Sequence, residues 1–463
     1  MAKFILTCFL ALAAAQGQRP LYSDYEFNPL EHLAGTTPFF EPSDPPRGPP
    51  PPRNCKVTKS AHLVRHAAIN ANDFDYETYL HPFVEKISNS SVDWIRVPGL
   101  SFLDGWKAPQ TEELELVTRT GKLEAAQLGV QISYRYPELR LPKRIWSSSA
   151  ERTYVSAKSF IRGLEMEDND ISLVVLDEGK KAGADSLTPY KSCPAYSSSA
   201  GSKESQKYVD VYTKPIIARL RAQAPGMNWT SSDIVAMFEW CGYETVMRGS
   251  SAFCSSDLFT PDEWLAFEYA QDIQYFYNSG YGSNVAGYIG YPWVEATIST
   301  LLDPPKNDEQ DIYVSFTHRE LPPAVLVAMG LFNNTEFTPG ASINATMPFD
   351  RINYGRAWKS SYILPFLTNI AIEKMACSGS YGYANGTYYR AMVNQSPQTL
   401  AACHDGPAES CSEAGLTEYL KQRKELFGGF SKACGATYSN TTDTLGIYTR
   451  NLTGVTVGKR GVM

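Results

Sequence analysis

The chain has 463 residues, of which 43% are hydrophobic and 20% are charged, and its formal net charge is −7. This composition is that of an ordinary globular protein, and the length allows one large core or two cooperating domains. The negative charge excludes the basic surface that binding to a nucleic-acid backbone requires, so no nucleic-acid partner is expected.

The first 15 residues have the pattern of a secretory signal peptide. Lys3 gives a cationic start, the apolar run Phe4–Leu12 follows, and alanines at 13–15 form a small-residue cleavage site. The run is shorter than the roughly 20 residues that a membrane-spanning helix needs, and no later segment is long enough. The C-terminus lacks the hydrophobic tail of a lipid-anchor signal. We therefore predict a secreted, extracellular protein without a membrane anchor.

Residues 16–54 are predicted to form a proline-rich, extended leader, and 38–53 are predicted not to be part of the core. The stretch PFFEPSDPPRGPPPPR at 38–53 has many fixed φ angles and few backbone donors, which is typical of partly polyproline structure.

Three segments after the leader are typical of β-strands. They are KVTKSAHLV at 56–64, KRIWSSS at 143–149 and QDIYVSF at 310–316. The second and third strands precede helical patterns at about 150–164 and at 322–331. A repeated strand-then-helix order predicts an α/β fold with a mainly parallel, doubly wound sheet flanked by helices.

The section between the second and third strands is helix-rich, and we predict a smaller insert domain at 201–302. The α/β core would then comprise 55–200 and 303–463, with a disulfide-rich C-terminal segment. The clearest helix of the insert begins after Thr260, which can form a capping box with Glu263. Its predicted apolar face contains Leu265, Tyr269, Ile273 and Phe276.

Eight cysteines remain after removal of the signal peptide, and an even number in an oxidising compartment predicts four disulfides. A zinc site is the competing interpretation. It is disfavoured because the chain has no Cys-x-x-Cys, and because His62 and His66 would be roughly 13 Å apart in a strand. Candidate N-glycosylation sites are Asn89, Asn228, Asn333, Asn344, Asn385, Asn394, Asn440 and Asn451.

Polar side chains follow all three predicted strands, at the edge of an open α/β sheet where ligands bind. Arginines there suit phosphate recognition, a histidine could attack phosphorus, and a carboxylic acid could protonate the leaving alkoxide. The alternative is a structural histidine with arginines on solvated faces. The candidates are Arg65, His66, Arg152, His318, Arg319 and Glu320.

The segment CKVTKSAHLVRHAAINA at 55–71 resembles the entrance motif of the histidine acid phosphatases, branch 2 of the histidine phosphatase superfamily. In that family, a cysteine and a strand lead to Arg-His-Gly-x-Arg-x-Pro. RIWSSSAERTYVSAKSFIRGL resembles the segment with the family's third phosphate-binding arginine, and IYVSFTHRELPPAVLVAMGLFNN resembles its His-Asp segment. DLFTPDEWLAFEYAQDIQYFYNSGYG is similar to an insert helix of secreted fungal phytases and acid phosphatases.

This resemblance implies a role for each matching residue. His66 would be the nucleophile that forms a phosphohistidine, and Arg65, Arg152 and His318 would hold the phosphoryl oxygens. A small-molecule phosphate monoester is the implied substrate, and no metal or organic cofactor is implied. By analogy with fungal phytases, the expected disulfides are Cys55–Cys377, Cys193–Cys434, Cys241–Cys254 and Cys403–Cys411.

Four positions depart from the family motif. Ala67 replaces glycine, Ile69 replaces the second arginine, Ala71 replaces proline, and Arg319 replaces the aspartate after the histidine. The arginine lost at position 69 removes a charge-assisted contact worth about 1.5–3 kcal/mol, or roughly 10- to 150-fold in rate.

Two compensations for these departures are predicted. Inositol-polyphosphate phosphatases of the superfamily carry His-Ala-Glu with a glutamate donor, and the same spacing makes Glu320 the candidate proton donor here. Arg319 either restores a three-arginine pocket with Arg65 and Arg152 or faces solvent at the start of a helix.

The leading functional prediction is a secreted, glycosylated acid phosphomonoesterase, with phytate as one candidate substrate. The alternative is a catalytically impaired pseudo-phosphatase that acts as an extracellular phosphate-binding glycoprotein, which the substitutions at 67, 69 and 71 favour. A lipase-like hydrolase is disfavoured because Gly379-Ser380-Tyr381-Gly382 lacks the Gly-x-Ser-x-Gly spacing. No oligomeric state is predicted.

Overall fold

The computed structural model describes residues 27–40, 50–109, 113–164, 171–304, 310–334, 346–439, 441–450, 452 and 454–457. The predicted signal peptide at 1–15 lies outside these described residues, as do Asn344, Asn440 and Asn451.

One mixed sheet runs through the described part of the chain. Its strands are β1 (Cys55–Arg65), β2 (Arg144–Ser148), β3 (Ile171–Leu176), β4 (Ile312–Thr317), β5 (Asn369–Cys377), β6 (Gly386–Val393), β7 (Ser396–Gln398), β8 (Cys411–Ser412) and β9 (Val455–Val457). The order is β7-β6-β5-β1-β4-β2-β3-β9, and β8 pairs with β6. The predicted strands are thus confirmed as β1, β2 and β4.

The central strands β1, β4, β2 and β3 are parallel, and this arrangement confirms the predicted α/β fold. All six residues of β4 are buried, as expected for a strand covered on both faces. The strands outside this group pair in antiparallel fashion, and the sequence analysis did not predict them.

Helices cover the sheet and form a second layer beside it. The described helices are α1 (Asp73–Asp75), α2 (His81–Ser88), α3 (Arg119–Arg135), α4 (Glu151–Leu164), α5 (Ser202–Gln223), α6 (Ser231–Arg248), α7 (Pro261–Asn278), α8 (Ala286–Leu302), α9 (Leu321–Met329), α10 (Ser360–Ile363), α11 (Glu413–Phe427) and α12 (Phe430–Cys434). None of the described helices is long and apolar enough to cross a membrane.

The two helices predicted after strands are confirmed as α4 and α9. Helix α4 packs closely on α3, because a Cβ on Gly163 would lie only 1.8 Å from the carbonyl oxygen of Ala126. Only glycine allows this approach, which fixes the position of α4 and hence of Arg152 in its first turn.

Helices α5, α6 and α7 share an apolar cluster with residues from 80–103. The capping box predicted for α7 is present, with reciprocal bonds between Thr260 and Glu263. Tyr269 and Ile273 of the predicted apolar face are fully buried, whereas Leu265 and Phe276 are only partly buried. Residues of α8 instead belong to a different apolar cluster, which includes side chains from the strands of the sheet. The domain division at 201 and 302 stays a prediction.

Residues 27–40, which belong to the predicted leader, pack against the rest of the described chain. Leu33 and Thr37 are buried, with 1% and 0% of their surface exposed. The backbone N–H of Phe366 donates to the carbonyl of Thr37 (3.0 Å), and the imidazole Nδ1 of His32 lies 3.3 Å from Glu268 Oε1. The segment forms two short 3₁₀ helices, Pro29–Glu31 and Ala34–Thr36, and its apolar side chains pack beside α6 and α7.

The structure pairs the cysteines as Cys55–Cys377, Cys193–Cys434, Cys241–Cys254 and Cys403–Cys411. These are the four pairs that the family resemblance implied.

The candidate glycosylation sites differ in exposure. Asn89, Asn228 and Asn385 are exposed, and Asn333 is half-buried. The prediction for Asn394 is wrong, because this side chain is fully buried and its Nδ2 donates a 2.6 Å hydrogen bond to the carbonyl of Tyr362. A glycan could not be attached there without breaking that bond and the surrounding packing.

Candidate active site

The parallel strands bring the predicted strand-end residues to one edge of the sheet. Arg65 at the end of β1 is in register with Thr317 at the end of β4, and the backbone N–H of His66 donates to the carbonyl of Thr317 (2.8 Å). Strand β2, which leads to Arg152, pairs with the other side of β4. The residues predicted from three separate segments therefore lie on neighbouring strand ends.

His66 is buried, and its hydrogen bonding defines which ring nitrogen is free to react. Its Nδ1 lies 2.9 Å from the carbonyl oxygen of Ala67, which can only accept a hydrogen bond. In the neutral imidazole the proton is therefore on Nδ1, and Nε2 carries the lone pair. The ring lies 5.8 Å from the ring of His318, centroid to centroid.

Burial, followed by the positive charges of Arg65, Arg152 and His318, holds the pKa of His66 well below its usual range. The ring thus stays uncharged, and nucleophilic at Nε2, in acidic solution where a free histidine would be protonated.

The turn after His66 is held by α3 and α4. The backbone N–H of Ala67 donates to Ser156 Oγ (2.8 Å), and this hydroxyl donates to the carbonyl of Arg152 (2.6 Å). A Cβ on Gly121 would lie 2.3 Å from the carbonyl oxygen of Ala68, so α3 also presses on this turn. Ala67 is not among the residues with positive φ, so alanine causes no backbone strain where the family has glycine.

Ile69 is 4% exposed and forms an antiparallel bridge with Val117. It belongs to an apolar cluster that includes Val64 and Ala67. The Ile69 side chain is thus part of the core. It packs among apolar side chains at the position where the family has its second arginine.

Two of the arginines predicted to hold phosphate, Arg65 and Arg152, have protein partners. Arg65 is buried, with its guanidinium 4.5 Å from the Phe366 ring centroid, and its Nη1 donates to the carbonyl of Leu364. Burial is the main cause that lowers the pKa of Arg65 to about 10. Arg152 Nη1 donates to Glu115 Oε2 at 2.7 Å.

His318 is buried beside His66 and is bound from the other side by a carboxylate. Its Nε2 lies 2.8 Å from Glu178 Oε1, whereas its Nδ1 has no hydrogen-bond partner among the described residues. Burial lowers the pKa of His318, the hydrogen bond to Glu178 opposes this effect, and the net pKa lies below its ordinary value.

Arg319 is neither fully buried nor fully exposed, and both alternatives for this residue stay predictions. Its side chain is 28% exposed and lines a cavity of about 130 Å³ together with Asp75, Glu239 and Tyr275. Its positive charge is one cause that lowers the pKa of Arg65, after the larger effect of burial. Arg319 is therefore close enough to the pocket for its charge to act there.

Glu320 receives a 3.2 Å hydrogen bond from Arg319 Nε through its Oε1. Burial raises the pKa of Glu320, but the charges of Arg319 and His318 outweigh burial, and the pKa lies below its ordinary value. Glu320 is therefore an ionised carboxylate at neutral pH.

The sequence analysis missed four polar residues at or beside this site: Glu178, Ser156, Asp75 and Glu239. Asp75 accepts a 2.6 Å hydrogen bond from the hydroxyl of Tyr243, and burial raises its pKa. Burial and the neighbouring charge of Asp75 raise the pKa of Glu239 well above its ordinary value. Glu178 carried a usable signal, because it follows the apolar run LVVL at a strand end. The others lie in helices with no such pattern.

Three comparisons place the chain among known proteins. Residues 54–394 match the family described as the histidine phosphatase superfamily (branch 2). Two thiamine-repressible acid phosphatases of Schizosaccharomyces pombe are similar: one is 29% identical, covering 94% of this chain and 95% of the relative, and the other 30% identical, covering 90% and 93%.

The crystal structure of the phytase from D. castellii has the same fold. The TM-score is 0.81 at 24% identity, and the match covers 96% of this chain and 95% of that one. The family match over most of the chain and the identity to these relatives lead to one conclusion. The chain belongs to branch 2 of the histidine phosphatase superfamily.

Proposed function

We propose that the chain is a secreted acid phosphomonoesterase, which hydrolyses phosphate monoesters through a phosphohistidine intermediate on His66. The observation that carries this proposal is the state of His66. Its ring is buried and uncharged, with Nδ1 bonded to the carbonyl of Ala67 and Nε2 left as the nucleophile. A neutral imidazole surrounded by cationic side chains matches the needs of attack on an anionic phosphoryl group.

The phosphoryl oxygens would be held by Arg65, Arg152, His318 and Arg319. Each lies at the end of a neighbouring strand or in the first turn after it, so the strand pairing supports their convergence at one edge of the sheet. Arg319 would supply the charge that Ile69 cannot, and it would approach from the β4 side of the pocket. Charges fixed in advance around a developing anion are an effective means of stabilising the transition state.

The first chemical step transfers the phosphoryl group to His66. Nε2 forms a bond to phosphorus while the bond from phosphorus to the ester oxygen breaks. Glu320 would donate its proton to the departing alkoxide, which leaves as the alcohol. A bound phosphoryl dianion would offset the charges of Arg319 and His318 that lower the pKa of Glu320, and its own negative charge would favour protonation of Glu320.

The second step releases phosphate. The Glu320 carboxylate would take a proton from water as that water attacks phosphorus, and the bond from phosphorus to Nε2 breaks. Inorganic phosphate then leaves, with His66 neutral and Glu320 protonated for another cycle.

Secretion and glycosylation are part of the same proposal. They rest on the signal-like first 15 residues, on four disulfides, and on the exposed sequons at Asn89, Asn228 and Asn385. Protein recovered from the culture medium of a eukaryotic host should begin after residue 15, and enzymatic deglycosylation should lower its mass. A mature chain that starts at Met1 would contradict the proposal of secretion.

The central test compares the wild-type chain with His66→Ala. Both are assayed on p-nitrophenyl phosphate and on phytate from about pH 2.5 to 7, a range that spans carboxylate and histidine titration. Wild type should release phosphate at acid pH, and the variant should release none above background. Equal, background-level release by both would instead favour the non-catalytic, phosphate-binding alternative.

The role of Glu320 is tested by the leaving group. Glu320→Gln keeps the size of the side chain but cannot donate a proton. It should slow hydrolysis of an alkyl phosphate, such as glycerol phosphate, far more than that of p-nitrophenyl phosphate, whose leaving group needs little protonation. Unchanged turnover on both esters would exclude Glu320 as the donor.

A further inference from the structure

A carboxylate outside the predicted site binds the second histidine. Oε1 of Glu178 lies 2.8 Å from Nε2 of His318, with 12% of the Glu178 side chain and 2% of the His318 side chain exposed. Glu178 follows strand β3, the parallel neighbour of β2, so the sheet brings it to the same edge. The Glu178–His318 pair is therefore built by the fold.

The carboxylate of Glu178 is itself fixed by two other donors. The backbone N–H of Ala150 donates to Oε1 at 3.0 Å, and Lys191 Nζ donates to Oε2. Burial alone would raise the pKa of Glu178, but the hydrogen bond from His318 and those from Lys191 and Ala150 outweigh it and lower the pKa well below its ordinary value. Glu178 thus stays negatively charged in acidic solution.

The bond to Glu178 determines which nitrogen of His318 can reach a substrate. Because Nε2–H is donated to Glu178, only Nδ1 remains, and it is buried without a partner among the described residues. A phosphoryl oxygen only accepts hydrogen bonds. Contact with phosphate therefore requires Nδ1–H, and His318 must then carry protons on both nitrogens.

We propose that Glu178 is a positioning residue that orients His318 and holds it as an imidazolium, so that its Nδ1–H donates to the phosphoryl group. This inference rests on the proposed function. Burial and the charge of Arg152 oppose a positive charge on His318, whereas Glu178 and Glu320 favour it. Among these, Glu178 is the group that hydrogen-bonds the ring directly.

The test is the pH dependence of kcat/KM on p-nitrophenyl phosphate in Glu178→Gln. Loss of an opposite charge at hydrogen-bond distance should lower the pKa of His318, so the alkaline limb of the profile should move to lower pH by about 1–2 units. Glu178→Asp, which keeps the charge, should return the limb towards its wild-type position. Because every variant is assayed with the same substrate, ionisation of the substrate affects all the pH profiles equally and cancels when they are compared.

Asp177→Asn is the matched control, since Asp177 is adjacent and exposed and its removal changes the net charge equally. The limb of this variant should coincide with that of wild type. A limb in Glu178→Gln that also coincides with wild type would overturn the proposal. If wild type is active and His66→Ala is not, that result overturns only the role of Glu178 and leaves the proposed function intact.

A second variant covers the case in which Glu178→Gln does not fold. Lys191→Gln removes a competing positive charge from a side chain that is 38% exposed, and so it should be tolerated. The freed Glu178 carboxylate should then bind His318 more strongly and move the alkaline limb to higher pH. A limb that stays in place or moves to lower pH would overturn the proposal.

Discussion

The imidazole rings of His66 and His318 lie 5.8 Å apart, at the ends of two hydrogen-bonded parallel strands. The two rings have opposite hydrogen-bonding arrangements: His66 uses Nδ1 for a backbone carbonyl, whereas His318 uses Nε2 for a carboxylate. Each ring therefore presents a different nitrogen to a shared substrate. This difference predicts that the two histidines fail in different ways when they are replaced.

His66→Ala should abolish formation of a covalent phosphoenzyme, because no nucleophile remains. His318→Ala should still form it, with kcat/KM lowered roughly 10- to 150-fold by the loss of one charge-assisted contact. The measurement is incorporation of labelled phosphate after an alkaline quench, since phosphohistidine is labile in acid. Label on the protein in His66→Ala would show that another residue is the nucleophile.

Arg319→Ala tests whether this arginine replaces the one missing at position 69. The variant should lose roughly 10- to 150-fold in kcat/KM and should bind inorganic phosphate more weakly as a competitive inhibitor. Arg319→Lys should recover part of both, because it restores the charge without the planar fork. The control is Arg351→Ala, since Arg351 is 59% exposed and pairs only with exposed Asp350 in the described structure. Phosphate inhibition that is unaltered in Arg319→Ala would remove Arg319 from the pocket.

Ile69→Arg would restore the second arginine of the family motif, yet we expect it to harm the protein. Ile69 lies in an apolar cluster and is 4% exposed, so arginine would bury an unpaired charge. The cost should be about 3 kcal/mol in the free energy of unfolding, with no gain in kcat/KM. Leu123→Arg on α3 is the control, because Leu123 is 68% exposed. A stable Ile69→Arg variant with higher activity would show that position 69 can reach the phosphate.

Part of the candidate site could be predicted from the sequence. Arg65, His66, Arg152 and His318 were identifiable because each follows an apolar strand, and the carboxyl ends of parallel strands meet at one edge. The pairing that aligns β1, β4 and β2 depends on hydrophobic patterns within each strand. Such local patterns can be recognised in the sequence.

The parts that were not predicted depend on contacts between distant segments. Residues 33–37 are buried because this segment packs on helices about 200 or more positions later in the chain, as the neighbouring His32–Glu268 contact shows. Asp75 and Glu239 share a cavity although one lies in α1 and the other in α6. No local sequence pattern predicts these contacts between distant segments, because each of the residues on its own is compatible with a solvated surface.

The stability of the protein should depend on pH through His62 in β1. Burial is the main cause that lowers the pKa of His62 from 6.5 to about 4, with the charge of Glu373 acting in the opposite direction. Between these two pH values the unfolded chain binds a proton that the folded protein does not. Stability should therefore rise with pH across this window, by up to about 3 kcal/mol from this residue. It should be lost as the pH falls through the window.

Urea denaturation at a series of pH values measures this effect. His62→Gln should have a flatter dependence of the free energy of unfolding on pH between about 4 and 6.5. The matched control is His81→Gln, because the His81 side chain is 46% exposed. Equal slopes in wild type and His62→Gln would show that another group is responsible for any dependence.

The disulfide Cys55–Cys377 should stabilise the protein more than Cys403–Cys411. The first joins residues 322 positions apart and links the start of β1 to the end of β5, whereas the second joins residues 8 positions apart. In the chain-entropy account, a longer closed loop restricts the unfolded chain more, so removal should cost about 5–6 kcal/mol for the first and about 2–3 kcal/mol for the second. All four cysteines are buried to a similar extent, so the paired substitutions Cys55→Ala/Cys377→Ala and Cys403→Ala/Cys411→Ala lose comparable packing. Urea unfolding of the two double variants measures the difference, and an equal or reversed cost would mean that local packing rather than loop length sets the contribution of each bond.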